Sequence, residues 1–186
     1  MTPEADAMKK ASFQPMPCPV ARALEHIGDG WSLLVLRDAF YGLRRFDEFQ
    51  HSLGIASNTL TRRLTDLVTA GLLERRPYQN NPPRFEYLLT EAGRDLRPVI
   101  LTLMAWGAKH AEGSHKVYLA DERTGEPVAL ALMDANTGKP ITVDEHRLRI
   151  APDADPLTHW RAEAGQAYRQ GSTLVSPFPT QASSEG

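Results

Sequence analysis

The chain has 186 residues, a formal net charge of −2 and a single cysteine. That length holds one ordinary domain, or a small domain with an appendage, and one thiol excludes an internal disulfide. No apolar run approaches the ~20 residues that a membrane span needs. The opening MTPEADAMKKASFQ lacks a hydrophobic signal core, so a cytoplasmic protein is expected.

Residues 1–16 are small, charged and proline-containing, which predicts disorder. A helix is predicted from Pro19 through Val20, Ala23, Leu24 and Ile27, ending near Gly28 and Gly30. A second spans 31–40, with Trp31, Leu34, Val35 and Ala39 on its apolar face. Trp31 is expected to be a core aromatic clamped between helices rather than a ligand-stacking residue. Phe46, Phe49 and Leu53 recur at helical spacing, and Gly54 stops that helix. Ser57 is expected to cap the next one through its hydroxyl. Leu60, Leu64 and Leu67 then form a buried stripe. This leaves Asn58, Thr59, Thr61, Arg62, Arg63 and Thr65 on the outer faces. Two helices joined by a tight turn, the second carrying amide, hydroxyl and guanidinium groups at its start, suit a DNA major groove.

Gly71 ends that helix, and 72–76 reads as a strand. Residues 77–83 read as a polar Pro/Asn-rich turn, and 84–89 as a returning strand. Thr90 is the expected N-cap of a long helix over 91–112, in which Pro98 marks a bend. Its Leu96, Val99, Ile100, Leu103, Met104 and Trp106 cover more surface than one small domain buries. The predicted fold is mainly α with a small amount of β: a winged helix-turn-helix over residues 17–112.

Beyond it, Asp121-Glu-Arg-Thr124-Gly125-Glu-Pro127 is echoed by Asp134-Ala-Asn-Thr137-Gly138-Lys-Pro140. Strand-like stretches flank each copy, at 116–119, 128–133, 141–143 and 146–150. Two hairpin turns in a small β appendage over 113–151 are expected. The spacing is also that of a zinc ribbon whose cysteines have all been replaced, a metal-free relic. Two unrelated type I turns explain it equally well. Residues 152–156 read as a linker, 157–169 as a last helix, and 171–186 as a disordered tail.

Charge is unevenly placed. Residues 57–85 hold five arginines against two carboxylates, whereas 113–186 hold seven basic residues against ten acidic ones. The positive stretch is where phosphates would be met. Asn58, Thr59, Arg62 and Arg63 are expected to face the groove, with Ser57 and Thr61 beside them. Arg62 and Arg63 lie about 100° apart around the helix, so one of them is expected on phosphate. Asn80, Asn81 and Arg84 are expected at the minor groove or backbone, and Arg44 and Arg45 at phosphate oxygens. The six histidines are scattered without metal-ligand spacing. Phosphate-loop and nucleophile motifs are absent, so neither an enzyme nor a cofactor is expected.

Many short pieces together resemble the HxlR-type family of bacterial winged-helix regulators, from about Cys18 to His110. They are Cys18-Pro19-Val20, Ile27-Gly28 followed by Trp31, Arg45-Phe46, Leu60 with Arg63-Leu64, Gly71-Leu72, Pro82-Pro83-Arg84, and Tyr87 with Leu89-Thr90. Gly30 stands where members usually carry Lys. The resemblance implies a two-fold dimer through the first and long helices, here Val20, Leu24, Val99, Leu103 and Trp106. It marks Arg63 as a common basic position, and Asn58 and Thr59 as variable ones suited to operator choice. It also implies that Cys18 can sense oxidants or electrophiles, the alternative being a small buried residue at the dimer interface. A helix start just after Cys18 would favour the reactive thiolate, and an oxidised Cys18 could form a sulfenic acid, a mixed disulfide or a bond to its dimer mate. The expected protein is a homodimeric regulator of double-stranded DNA, a repressor more readily than an activator, with an oxidant or small-molecule effector possible. The rival reading is a protein-interaction module on the same scaffold.

Overall fold

The computed structural model describes residues 12–113 and 117–171. It divides into two compact units, Met1–Leu132 and Met133–Gly186. In the first, α1 (Pro19–Ile27), α2 (Gly30–Phe40), α3 (Phe46–Leu53) and α4 (Ser57–Thr69) precede a hairpin of β1 (Leu73–Asn80) and β2 (Pro83–Leu89). A short α5 (Glu91–Arg94) and α6 (Arg97–His110) follow. The second unit holds α7 (Pro156–Arg169), capped by Asp155, whose carboxylate accepts from the Thr158 N–H at 3.0 Å.

The core forms where α2, α3 and α4 meet the hairpin. Val35, Leu36, Phe49, Leu60, Leu64, Leu67 and Leu73 are all essentially inaccessible to solvent. The leucines of α4 recur at one face of a 3.6-residue period, so burying them fixes the helix's rotation about its own axis. Gly54 ends α3 in the left-handed region at φ 60° and turns the chain into α4. Ser57 does not cap that helix. It is the first helical residue, and Ala56 occupies the cap position without a side-chain bond. Trp31 is likewise not a core aromatic, being 39% exposed near the start of α2.

The wing differs from expectation in its turn. Both strands run further toward the tip, leaving only Asn81 and Pro82 between them. Pro77 lies inside β1 at a bulge, where the register shifts between Pro77 and Gln79. An irregular site tolerates proline, which cannot donate to the ladder. The backbone before α3 joins the sheet, since the Tyr87 N–H donates to the Arg44 carbonyl at 2.7 Å and Arg45 bridges to Glu86.

The helix expected over 91–112 is two helices. α5 starts at Thr90, whose hydroxyl accepts from the Gly93 N–H at 3.1 Å and donates to the Gly71 carbonyl at 2.6 Å. A Cβ on Gly93 would lie 2.1 Å from the Leu72 carbonyl oxygen, so only glycine fits this approach. The chain breaks after Arg94, and Pro98 opens α6 rather than bending a continuous helix.

Both D-x-x-T-G-x-P copies are hairpin turns. The Gly125 N–H donates to the Asp121 carbonyl and the Gly138 N–H to the Asp134 carbonyl, each at 2.8 Å. Single antiparallel bridges close them, Ala120 to Pro127 and Met133 to Pro140. The flanking stretches form no longer ladder among the described residues. The boundary between the two compact units falls between these turns. In each turn, hydrogen bonds hold the Asp carboxyl below its ordinary range. Thr124 donates to Asp121 from backbone and side chain, and the Thr137 hydroxyl donates to Asp134. Of the segments expected to be disordered, 1–16 and 171–186, residues 1–11 and 172–186 lie outside the described residues. Residues 12–16 instead hold a turn, in which the Met16 N–H donates to the Phe13 carbonyl at 2.9 Å and the Phe13 N–H to Glu25 at 2.6 Å.

Candidate nucleic-acid interface

α4 presents one polar face while its opposite face is locked. Leu60, Leu64 and Leu67 are fully buried, whereas Asn58, Thr61, Arg62 and Thr65 are exposed and Thr59 is half-buried. The Thr65 hydroxyl donates back to the Thr61 carbonyl at 2.8 Å, an ordinary use of a threonine inside a helix. Ser57 is exposed at the first turn.

Arg63 departs from the expected outward pair. Its side chain is only 12% exposed, with Nε 3.0 Å from Asp29 Oδ1 and Nη1 3.1 Å from Asp66 Oδ2. The Nε–H is not aligned on the Asp29 oxygen, so this contact is an ion pair without a formal hydrogen bond. Asp29 is the N-cap of α2, accepting from the Ser32 N–H at 3.0 Å and from the Ser32 hydroxyl. Arg63 therefore joins α4 to the start of α2, inside the scaffold. Arg62, one position earlier and about 100° round the helix, remains the outward guanidinium.

At the start of α3, both backbone N–H groups of Arg44 and Arg45 donate to Glu48 Oε2, at 2.8 and 2.9 Å. They hold the Glu48 carboxyl below the ordinary range, with a smaller contribution from the two arginine charges. The Arg45 guanidinium lies over the Tyr78 ring at 4.5 Å and 3.6 Å from Glu86. It is oriented by the wing while still exposed. Arg75 stacks on Phe85 at 3.4 Å, a cation–π contact that stiffens the hairpin. Arg84, Asn80 and Asn81 are exposed around the wing tip.

Sequence reading missed Asp29, Glu48, Tyr78 and Phe85 as supports of this surface. Glu48, in the first turn of the predicted helix, was a visible sign of an anchored start, since a carboxylate there can reach back to the free N–H groups before it, and Asp29-x-x-Ser32 was a visible cap. The ring–guanidinium pairs depend on cross-strand register and had no local signal.

Cys18 is the half-buried residue just before α1, in extended backbone at φ −137° with Pro19 opening the helix. No residue of α6 is buried, and Val99, Leu103 and Trp106 are 44%, 50% and 62% exposed. On α1, Val20 and Leu24 are 65% and 39% exposed. Among the described residues, no helix is long and apolar enough to cross a membrane.

The geometry agrees with the relatives. Residues 26–115 match the model of the HxlR-like helix-turn-helix. An uncharacterised HTH-type transcriptional regulator of Mycobacterium tuberculosis (strain ATCC 25618 / H37Rv) is 45% identical over 140 residues, covering 74% of this chain and 85% of its own. A stretch of that length passes residue 115 wherever it begins, so the likeness reaches into the segment that carries the turns. Among solved structures, PA1607, a candidate transcription factor, is 39% identical with a TM-score of 0.68, over 76% of this chain and all of its own. PA1374 of Pseudomonas aeruginosa, also a candidate transcription factor, is 43% identical with a TM-score of 0.56, over 77% of this chain and 99% of its own. A winged helix-turn-helix is thus matched in sequence and in fold, and the chain belongs to the HxlR-like helix-turn-helix family of transcriptional regulators.

Proposed function

We propose that this protein is a cytoplasmic homodimer that binds a pseudo-palindromic DNA site and represses the genes beside it. Each protomer places α4 in one of two successive major grooves. The observation that carries this reading is the locked rotation of α4. Three buried leucines and the Arg63–Asp29 pair leave Asn58, Thr61 and Arg62 on the free face. Asn58, Thr59 and Arg62 read base edges, with Ser57 and Thr61 beside them. Arg44, Arg45, Arg84, Asn80 and Asn81 meet the backbone and the minor groove. Arg63 acts by positioning the helix. Occupancy of a promoter is enough to block it, which favours repression.

The test is recovery of bound genomic fragments with purified protein, followed by titration of the recovered site against salt. A steep fall of affinity with salt is expected, since neutralised phosphates release counterions. Arg62→Ala is expected to weaken site binding by about ten-fold or more. Salt-independent binding, or unchanged affinity of Arg62→Ala, would favour a protein-docking module instead.

The placement of Cys18 at the start of α1, with no acidic residue in the first turn, supports a second element. Oxidants or electrophiles release the DNA through this thiol. A Cys18→Ser protein that still dissociates on treatment with diamide or hydrogen peroxide removes that element.

A further inference from the structure

A cleft of about 350 Å³ opens at the base of the wing, between the α2–α3 loop, the two strands and α5. Three separate elements bring arginines to it: Arg44 from the loop, Arg76 from β1 and Arg94 from α5. Among the described residues, Glu74 is the only carboxylate on its walls, and it is held by Arg76 at 2.5 Å. Among the described residues, no carboxylate pairs with the side chain of Arg44 or Arg94. Arg94 is fixed in place, with Nη1 donating to the Leu89 carbonyl at 2.8 Å, and its other nitrogens are available. The rest of the lining includes Leu43, Tyr87 and Leu88, which give the cleft an apolar side.

Two guanidiniums with no carboxylate within ion-pair distance, Arg44 acting on Glu48 only from further away, stand beside an apolar wall and define the ligand's chemistry. We propose that this cleft binds a small organic anion, a carboxylate with an apolar body, as an effector. A carboxylate accepts two parallel N–H bonds from a guanidinium, a geometry that Arg offers and Lys does not. Volumes of this order accommodate small ligands. The walls belong to the loop that launches α3 and to both wing strands, which the Tyr87 N–H to Arg44 carbonyl bond already joins. A bound anion draws Arg44 and Arg94 together across that joint, altering how the wing sits against the helix pair. The control of DNA binding rests on the function proposed above, whereas the binding of the anion does not.

Benzoate is the probe and benzamide its neutral counterpart, both titrated into the full chain without DNA and followed by amide chemical shifts. Saturable shifts at Leu43, Leu88 and Arg94 are expected with benzoate. Benzamide, and benzoate with Arg94→Gln or Arg44→Gln, are expected to bind about ten-fold more weakly or less, the loss of a charge-assisted hydrogen bond. Two variants on different elements guard against local unfolding of one, and Arg22→Gln, exposed on α1 and outside the cleft, should bind benzoate as wild type. Equal binding of benzoate and benzamide, shifts that map elsewhere, or insensitivity to both cleft variants overturns the proposal. So does a loss of operator affinity in Arg94→Gln without any added anion, because the cleft would then be a seat for duplex phosphate.

Discussion

Arg63 Nε lies 3.0 Å from Asp29 Oδ1, and the same carboxylate caps α2. One ion pair thus joins the start of α2 to the middle of α4. Both side chains are largely shielded, at 12% and 18% exposure, so solvent screens the pair less than a surface one. Arg63→Ala is expected to lower stability by about 1–3 kcal/mol, between the surface and the buried cases. Arg62→Ala should change it by no more than about 0.5 kcal/mol. A double-mutant cycle of Asp29→Ala with Arg63→Ala, read by denaturant unfolding, should give a coupling of about 1–2 kcal/mol. Additive losses in that cycle would mean that the pair contributes nothing.

Glu48 should make the folded state sensitive to acid. Its carboxyl is held below the ordinary range by the N–H groups of Arg44 and Arg45. A depressed folded value means that the stabilisation is complete above the unfolded value of about 4.3 and fades as pH falls through the lower folded value. Glu48→Gln should therefore be less stable than wild type at neutral pH, and the gap should close on acidification. A gap that stays constant from neutral pH to about pH 3 would break this link.

The apolar side chains of α6 set up a third expectation. Leu103 and Trp106 are at least half exposed, and no α6 residue is buried. If they seat a second protomer, Leu103→Glu should yield monomers in sedimentation while the helical signal persists. Operator affinity should fall with it, since two half-sites bound by one dimer gain from effective concentration. Wild-type protein that sediments as a monomer would remove the dimer reading.

Much of the architecture was legible in the residues themselves. The leucine period of α4, the glycine stop at Gly54, the cap at Thr90 and the two Thr-Gly turns are all local patterns, and local patterns act through backbone preference and burial alone. Boundaries that depend on neighbours were less legible. Ser57 has the chemistry of a cap, yet Ala56 holds that place because the chain enters α4 one residue earlier. Pro98 read as a bend, but the preceding chain docks Gly93 against Leu72, and the helix restarts instead.

The sequence by itself determined that a helix pair and a wing would form, and that a basic stretch would accompany them. It did so because periodicity, turn residues and charge are properties of neighbours along the chain. Only the tertiary structure decided which arginine of α4 faces outward. Arg62 and Arg63 are chemically identical and adjacent, and about 100° of helical rotation separates them. The packing of α2 against α4 brings Asp29 within reach of one and not the other.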